Sequence, residues 1–112
     1  MIARVWHGVV QENTAKEFLE YVNETGVPGL SSTPGNQGVM VFRRIEEGKT
    51  HFLLTSFWQS YAAISALAGP DIEQARYYPK GEEYLIELEP SVTHHEVVVG
   101  QEILQSAWAD VP

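Results

Sequence analysis

The side chains of this sequence that could do chemistry near neutral pH are a few histidines, an arginine and several aromatics. His7 stands in the apolar stretch Ile2 to Val10. A neutral imidazole there could act as a general base toward a weak acid such as a phenol. The competing reading is a core histidine hydrogen-bonded to a neighbour. His94 and His95 are adjacent and are followed by Glu96. On a strand, consecutive side chains point to opposite faces, so the two histidines cannot share one metal. Glu96 shares a face with His94 alone, and the spacing matches no strong metal signature. No metal site is expected, and His94 is kept as a candidate ligand contact.

Arg76-Tyr77-Tyr78 is a second candidate group. A guanidinium turned inward could meet a carboxylate or a phenolate, with Tyr77 beside it. An arginine ending a helix is also favoured by the helix dipole alone. Trp58 and Tyr61 flank a predicted strand-to-helix turn. Trp58 there serves a core or the wall of an aromatic pocket equally well, while Tyr61 reads first as packing or surface and is kept as a candidate substrate contact. No serine–histidine–aspartate arrangement can be argued from spacing, because triads are defined by geometry. His51, near a strand start, reads as exposed, and the carboxylates of residues 82–89 read as a solvated stretch.

The totals exclude several classes. A chain of 112 residues holds one domain with one modest core. It is 44% hydrophobic, too apolar for a disordered chain. Seven Lys+Arg against fifteen Asp+Glu argue against nucleic acid or an anionic membrane as partner. With no cysteine, thiolate metal sites, disulfides and cysteine nucleophiles are excluded. No run approaches the ~18 apolar residues that span a bilayer. A cytoplasmic protein is the expectation.

The elements that must position these residues are legible in outline. Ile2 to Val10 reads as a strand. Ala15, Phe18, Leu19 and Val22 form one apolar stripe of a helix that Gly26 and Pro28-Gly29 should end. A Gly-, Ser- and Pro-rich loop is expected over 26–38. Val39 to Ile45 and Thr50 to Trp58 form a hairpin. Ser60 caps a helix through Leu67, with Ile64 and Leu67 inward and Gly69 closing it. A short helix should run from Pro70 to Arg76, and a last strand from Val92 to Val99. The order β-α-β-β-α-β defines an α+β, ferredoxin-like sandwich with an antiparallel sheet in the order 4-1-3-2. Residues 1–99 form this domain, and 100–112 a tail with Ile103, Leu104 and Trp108 as anchors. Val39 to Phe42 and Phe52 to Leu54 are apolar without alternation, the pattern of strands covered on both faces. A second copy packed sheet to sheet would supply the cover. The alternative cover is the tail or the 26–38 loop.

Ser56-Phe57-Trp58-Gln59-Ser60-Tyr61, Ala68-Gly69-Pro70-Asp71-Ile72-Glu73, Ala75-Arg76-Tyr77-Tyr78-Pro79 and the closing Val92-Thr93-His94-His95-Glu96-Val97 resemble the antibiotic biosynthesis monooxygenase-like superfamily. The likeness covers residues 1–99. It implies a dimeric α/β barrel with a cavity between sheet and helices. It further implies a cofactor-independent monooxygenase acting on a small aromatic or polyketide-like compound, with Trp58 as pocket wall and Arg76 steadying an oxyanion. The superfamily's haem-degrading members place a tryptophan and a haem-ligating histidine where this chain has Ala66 and Arg76, which disfavours haem breakdown. No nucleotide fingerprint supports a flavin or nicotinamide, so no cofactor is expected.

The expectation is therefore a homodimeric enzyme with His7 and Arg76 catalytic and Trp58, Tyr61, Tyr77 and His94 contacting substrate. Its rival is a non-catalytic module of the same fold that binds a small ligand or only pairs chains.

Overall fold

The computed structural model describes residues 1–77, 79–102 and 104. Strand β1 is Ile2–Gln11, followed by a 3-10 turn at Glu12–Thr14 and helix α1 at Ala15–Tyr21. A π turn, Val22–Gly26, leads directly into α2, Val27–Ser31. Strands β2 (Asn36–Glu46) and β3 (Lys49–Trp58) form the hairpin, and α3 (Tyr61–Ala68), α4 (Pro79–Tyr84) and β4 (Thr93–Glu96) complete the chain. The sheet order is β2-β3-β1-β4, all neighbours antiparallel. This is the expected α+β order.

Register divides the sheet into two faces. Ile2 lies opposite Trp58, Arg4 opposite Ser56 and Val10 opposite Thr50. These even-numbered positions carry the core. Val10 and Phe52 pack with Phe18 and Val22 of the first helical segment, and Ile2 and Trp58 with Ile64 of α3. Helices therefore cover this face. The opposite face carries Leu53 of β3 beside its register partner Phe42 of β2, and both remain exposed, as does Met40. Burial of the helix-facing set supplies the driving force, since each fully buried large apolar side chain contributes on the order of 2 kcal/mol.

Four local expectations are corrected. The helix does not end at Gly26. Pro28 falls in the first turn of α2, where a missing N–H costs nothing. Leu67 is exposed, while Ile64 and Ala68 are buried, so the inward stripe of α3 is i, i+4. Residues 70–76 form no helix, because Gln74 bridges Ser91 and Ala75 N donates to the Pro90 carbonyl. The last strand stops at Glu96 and does not reach Val99. The Ser60 cap is present, its hydroxyl accepting from Ala63 N at 3.2 Å. In the tail Leu104 is buried. Tyr78, Ile103 and Trp108 lie outside the described residues. Among the described residues no helix is long and apolar enough to cross a membrane.

Candidate functional site

A cavity of about 640 Å³ opens between the helix-covered face of the sheet and the helices. Its sheet wall comes from Arg4 and Trp6 of β1 and Leu54 and Ser56 of β3. Phe18 and Tyr21 close it from α1, and Arg76 and Tyr77 from the segment after α3. The Trp6 ring stands 6.2 Å from Phe18, nearly parallel, and 6.2 Å from Tyr77, edge to face. Gly8 makes room for this. A Cβ on Gly8 would lie 2.2 Å from the Trp6 ring. The strand thus gives up a side chain so that an indole can lie along it.

Arg4 is the polar centre of the site. It sits on an inner strand and is 9% exposed. Its Nη1 donates to the Ile72 carbonyl and lies 2.9 Å from His94 Nε2. Because arginine has no acceptor, that imidazole nitrogen must accept, which fixes His94 as the neutral Nδ1–H tautomer. Its pKa is lowered accordingly, first by burial and then by the Arg4 charge. The Arg4 pKa is lowered by burial and by the charge of Arg76, and the group still stays protonated at neutral pH. Arg76 Nε donates to the Ala68 carbonyl at 2.8 Å. It therefore caps the C-terminus of α3, where a cation is favoured. Gly69, at φ +85°, turns the chain so that this guanidinium can approach. Tyr77 donates its hydroxyl to the Glu89 carbonyl at 2.6 Å. Burial, above all, raises its pKa, so it remains a phenol.

The structure brings Arg76 and Tyr77 to the cavity and sets His94 behind Arg4. It does not bring the other candidates there. Trp58 is fully buried among Ile2 and Ile64, with its Nε1 donating to Ser56 Oγ at 2.8 Å. It is a core residue, and Trp6 takes the wall position. Tyr61 is 46% exposed, its ring 6.2 Å from that of His94. His7 lies on the opposite face of the sheet, since β1 alternates and Arg4 and Trp6 hold the cavity side. A pocket base at His7 is thereby corrected for the single chain. His7 instead contacts Glu89 at 2.8 Å through Nδ1 and His51 at 3.0 Å through Nε2. His51, expected to be exposed, is half-buried by this contact. Among the described residues no group of three or more His, Asp or Glu is placed to hold a metal ion. The residues missed from sequence are Arg4 and Trp6. A cation between apolar neighbours in a strand, sharing parity with Trp6, was the available signal.

The family of antibiotic biosynthesis monooxygenases matches residues 1–75, and the chain belongs to that family. No curated protein matches it. Among solved structures it is similar to a proposed antibiotic biosynthesis monooxygenase from Nitrosomonas europaea, at 13% identity and TM-score 0.63, covering 88% of this chain and 99% of that one. It is also similar to the haem degrader MhuD of Mycobacterium tuberculosis, solved with two haems in its active site, at 21% identity and TM-score 0.58 over 89% and 98% of the two chains. A proposed antibiotic biosynthesis monooxygenase from Deinococcus radiodurans aligns at 15% identity and TM-score 0.53, over 89% and 95%. At these identities the likeness establishes the ferredoxin-like fold.

Proposed function

We propose that the protein is a cofactor-independent monooxygenase that takes a small aromatic or polyketide-like compound into the cavity between sheet and helices. The observation that carries this reading is the cavity itself, large enough for a fused-ring compound and walled by Trp6, Phe18 and Tyr77 around two arginines. Such chemistry starts from an electron-rich anion that can give an electron to oxygen. Here the anion would be favoured by cations, since Arg4 and Arg76 lower the ionisation cost of a phenol beside them. Arg76 keeps its expected part, and Arg4 joins it in place of a His7 base. Trp6 and Tyr77 shape the wall, and Tyr77 supplies a neutral rim.

The working unit is proposed to be a homodimer paired through the open sheet face, where Met40, Phe42 and Leu53 lie exposed. The large acidic excess fits a soluble protein of the cytoplasm with no nucleic-acid or membrane partner.

An oxygen electrode tests the reading. Purified protein should consume oxygen with hydroxylated naphthalenes or anthracenes, and Arg76→Gln should slow the reaction by roughly 100- to 1,000-fold, the scale of one lost anion contact. Binding of these compounds without oxygen uptake would favour a non-catalytic ligand-binding module instead. Haem breakdown stays disfavoured, because no histidine is among the described residues that line the cavity.

A further inference from the structure

The cavity's charge is all of one sign. Arg4 and Arg76 are the charged residues among its described lining, and no Asp or Glu joins them. This holds in a chain with a formal charge of −8. The ion pairs among the described residues join His7 to Glu89 and Arg44 to Glu46, and neither includes a cavity arginine. A nearly buried guanidinium normally has a counter-ion, because desolvating an unpaired charge is costly. Arg4 has a carbonyl and a neutral imidazole instead. These hydrate the cation in effect and leave its charge in place.

The hydrogen bonds also use only one corner of the group. Both contacts fall on Nη1. Nε and Nη2, the edge that grips a carboxylate with two parallel bonds, have no partner among the described residues. Arg4 rises from β1, which is paired on both sides, with β3 and with β4. Its base is fixed by that pairing and its head by the two Nη1 contacts, so little ordering cost remains before any ligand arrives.

We propose that the cavity selects compounds that join an apolar ring system to a carboxylate, and that Arg4 is the residue that reads the acid. The proposal rests on the reading of the cavity as the substrate site and adds the class of substrate. The rings lie against Trp6 and Tyr77 while the carboxylate completes the ion pair that the fold leaves open. Neutral aromatics of the same size bind more weakly, since they would leave Arg4 without a counter-ion. Arg76, more exposed, adds a weaker and more salt-sensitive attraction.

The test is calorimetric titration with a matched pair, 2-naphthoate and 2-naphthamide, which differ in charge and little in shape. At pH 7.5 the naphthoate should bind about tenfold more tightly or better, the scale of a charged hydrogen-bonded pair. Raising salt from 50 to 500 mM should narrow that ratio without moving the amide. Arg4→Gln should bring the ratio close to one while amide binding survives. Arg4→Lys, which keeps the charge and loses the fork, should keep part of the preference. Equal binding of the two probes to the unaltered protein would overturn the acid selection and leave the cavity standing as a ligand site. A folded Arg4→Gln protein with the full preference would overturn the role of Arg4. If neither probe binds at millimolar concentration, the acid selection and the cavity reading both fall.

Discussion

His7 Nε2 and His51 Nδ1 lie 3.0 Å apart on the sheet face turned away from the cavity, with their ring planes within 9° of each other. Glu89 accepts from His7 Nδ1, and the facing His7 Nε2 and His51 Nδ1 share one proton between them. Arg44 stands directly opposite His51 on β2, and Lys49 precedes it on the same face of β3. The pKa of His51 is lowered by loss of hydration first, then by the charges of Arg44, His7 and Lys49, with Glu89 opposing. A lowered pKa means that the folded chain binds fewer protons than the unfolded one in the window below 6.5. Stability should therefore be full above about pH 6.5, the ordinary histidine value, and fall as pH drops through the lowered pKa. Thermal unfolding followed from pH 8 to 5 should show a midpoint that declines below pH 6.5, and His51→Gln should flatten that decline. A slope unchanged by the substitution would remove His51 as its source.

The open face makes a prediction about assembly. Phe42 and Leu53 are register partners and are 48% and 39% exposed, beside Met40 at 40%. Three large apolar side chains side by side on one strand pair mark a contact surface. Sedimentation of the protein should give twice the chain mass of 12.5 kDa. Phe42→Asp together with Leu53→Asp should give the single-chain mass without loss of secondary structure, because neither residue serves the helix-side core. A doubled mass in that variant would place the contact elsewhere.

The strands and the two main helices could be read in the sequence because their signals are local. Ile2 to Val10 is rich in β-branched and aromatic residues, and Ser60 announces α3 as a cap. What failed depended on context beyond the local stop and start signals. Pro28-Gly29 carries a stop signal, yet α2 follows directly on the π turn with Pro28 in its first turn, where a proline is tolerated. Pro70 carries a start signal, and the bridge from Gln74 to Ser91 takes the chain away instead. The site was harder still. Strand β1 is apolar at both parities, with Val5 and Val9 on one side and Ile2 and Val10 on the other, so alternation alone could not assign His7 a face. One residue of register exchanges His7 for Trp6. Arg76 lines the cavity, while its partner, the Ala68 carbonyl, needed the turn at Gly69.

Trp58 and Trp6 should separate stability from binding. Trp58 is fully buried and Trp6 lines the cavity. Trp58→Ala leaves a large void and an unpaired Ser56 hydroxyl, and should cost about 3–5 kcal/mol in denaturant unfolding. Trp6→Ala enlarges an existing cavity, so most of its effect should appear as weaker binding of aromatic ligands. Equal stability losses for the two would contradict the assignment of Trp58 to the core.

Gly8 gives a sharper test of the cavity wall, because it acts on Trp6 without touching it chemically. A methyl group at this position would meet the indole at 2.2 Å. No contact of that length survives, so either the ring or the strand must move. The strand is pinned by β3, with Gly8 opposite Phe52, a core residue that is 2% exposed. The ring is the freer of the two, and Gly8→Ala should push it off the strand into the space a ligand would use. Overpacking of this kind costs on the order of 1–3 kcal/mol. The expected outcome is a folded protein with an altered near-ultraviolet circular dichroism signal and a markedly weaker affinity for 2-naphthoate. Adding Trp6→Leu to Gly8→Ala should relieve the overpacking, because the ring that clashed is gone, and stability should recover without the aromatic wall. If Gly8→Ala instead leaves both the tryptophan signal and the affinity as they were, Trp6 does not lie along the strand in solution, and the wall of the cavity must be assigned to other residues.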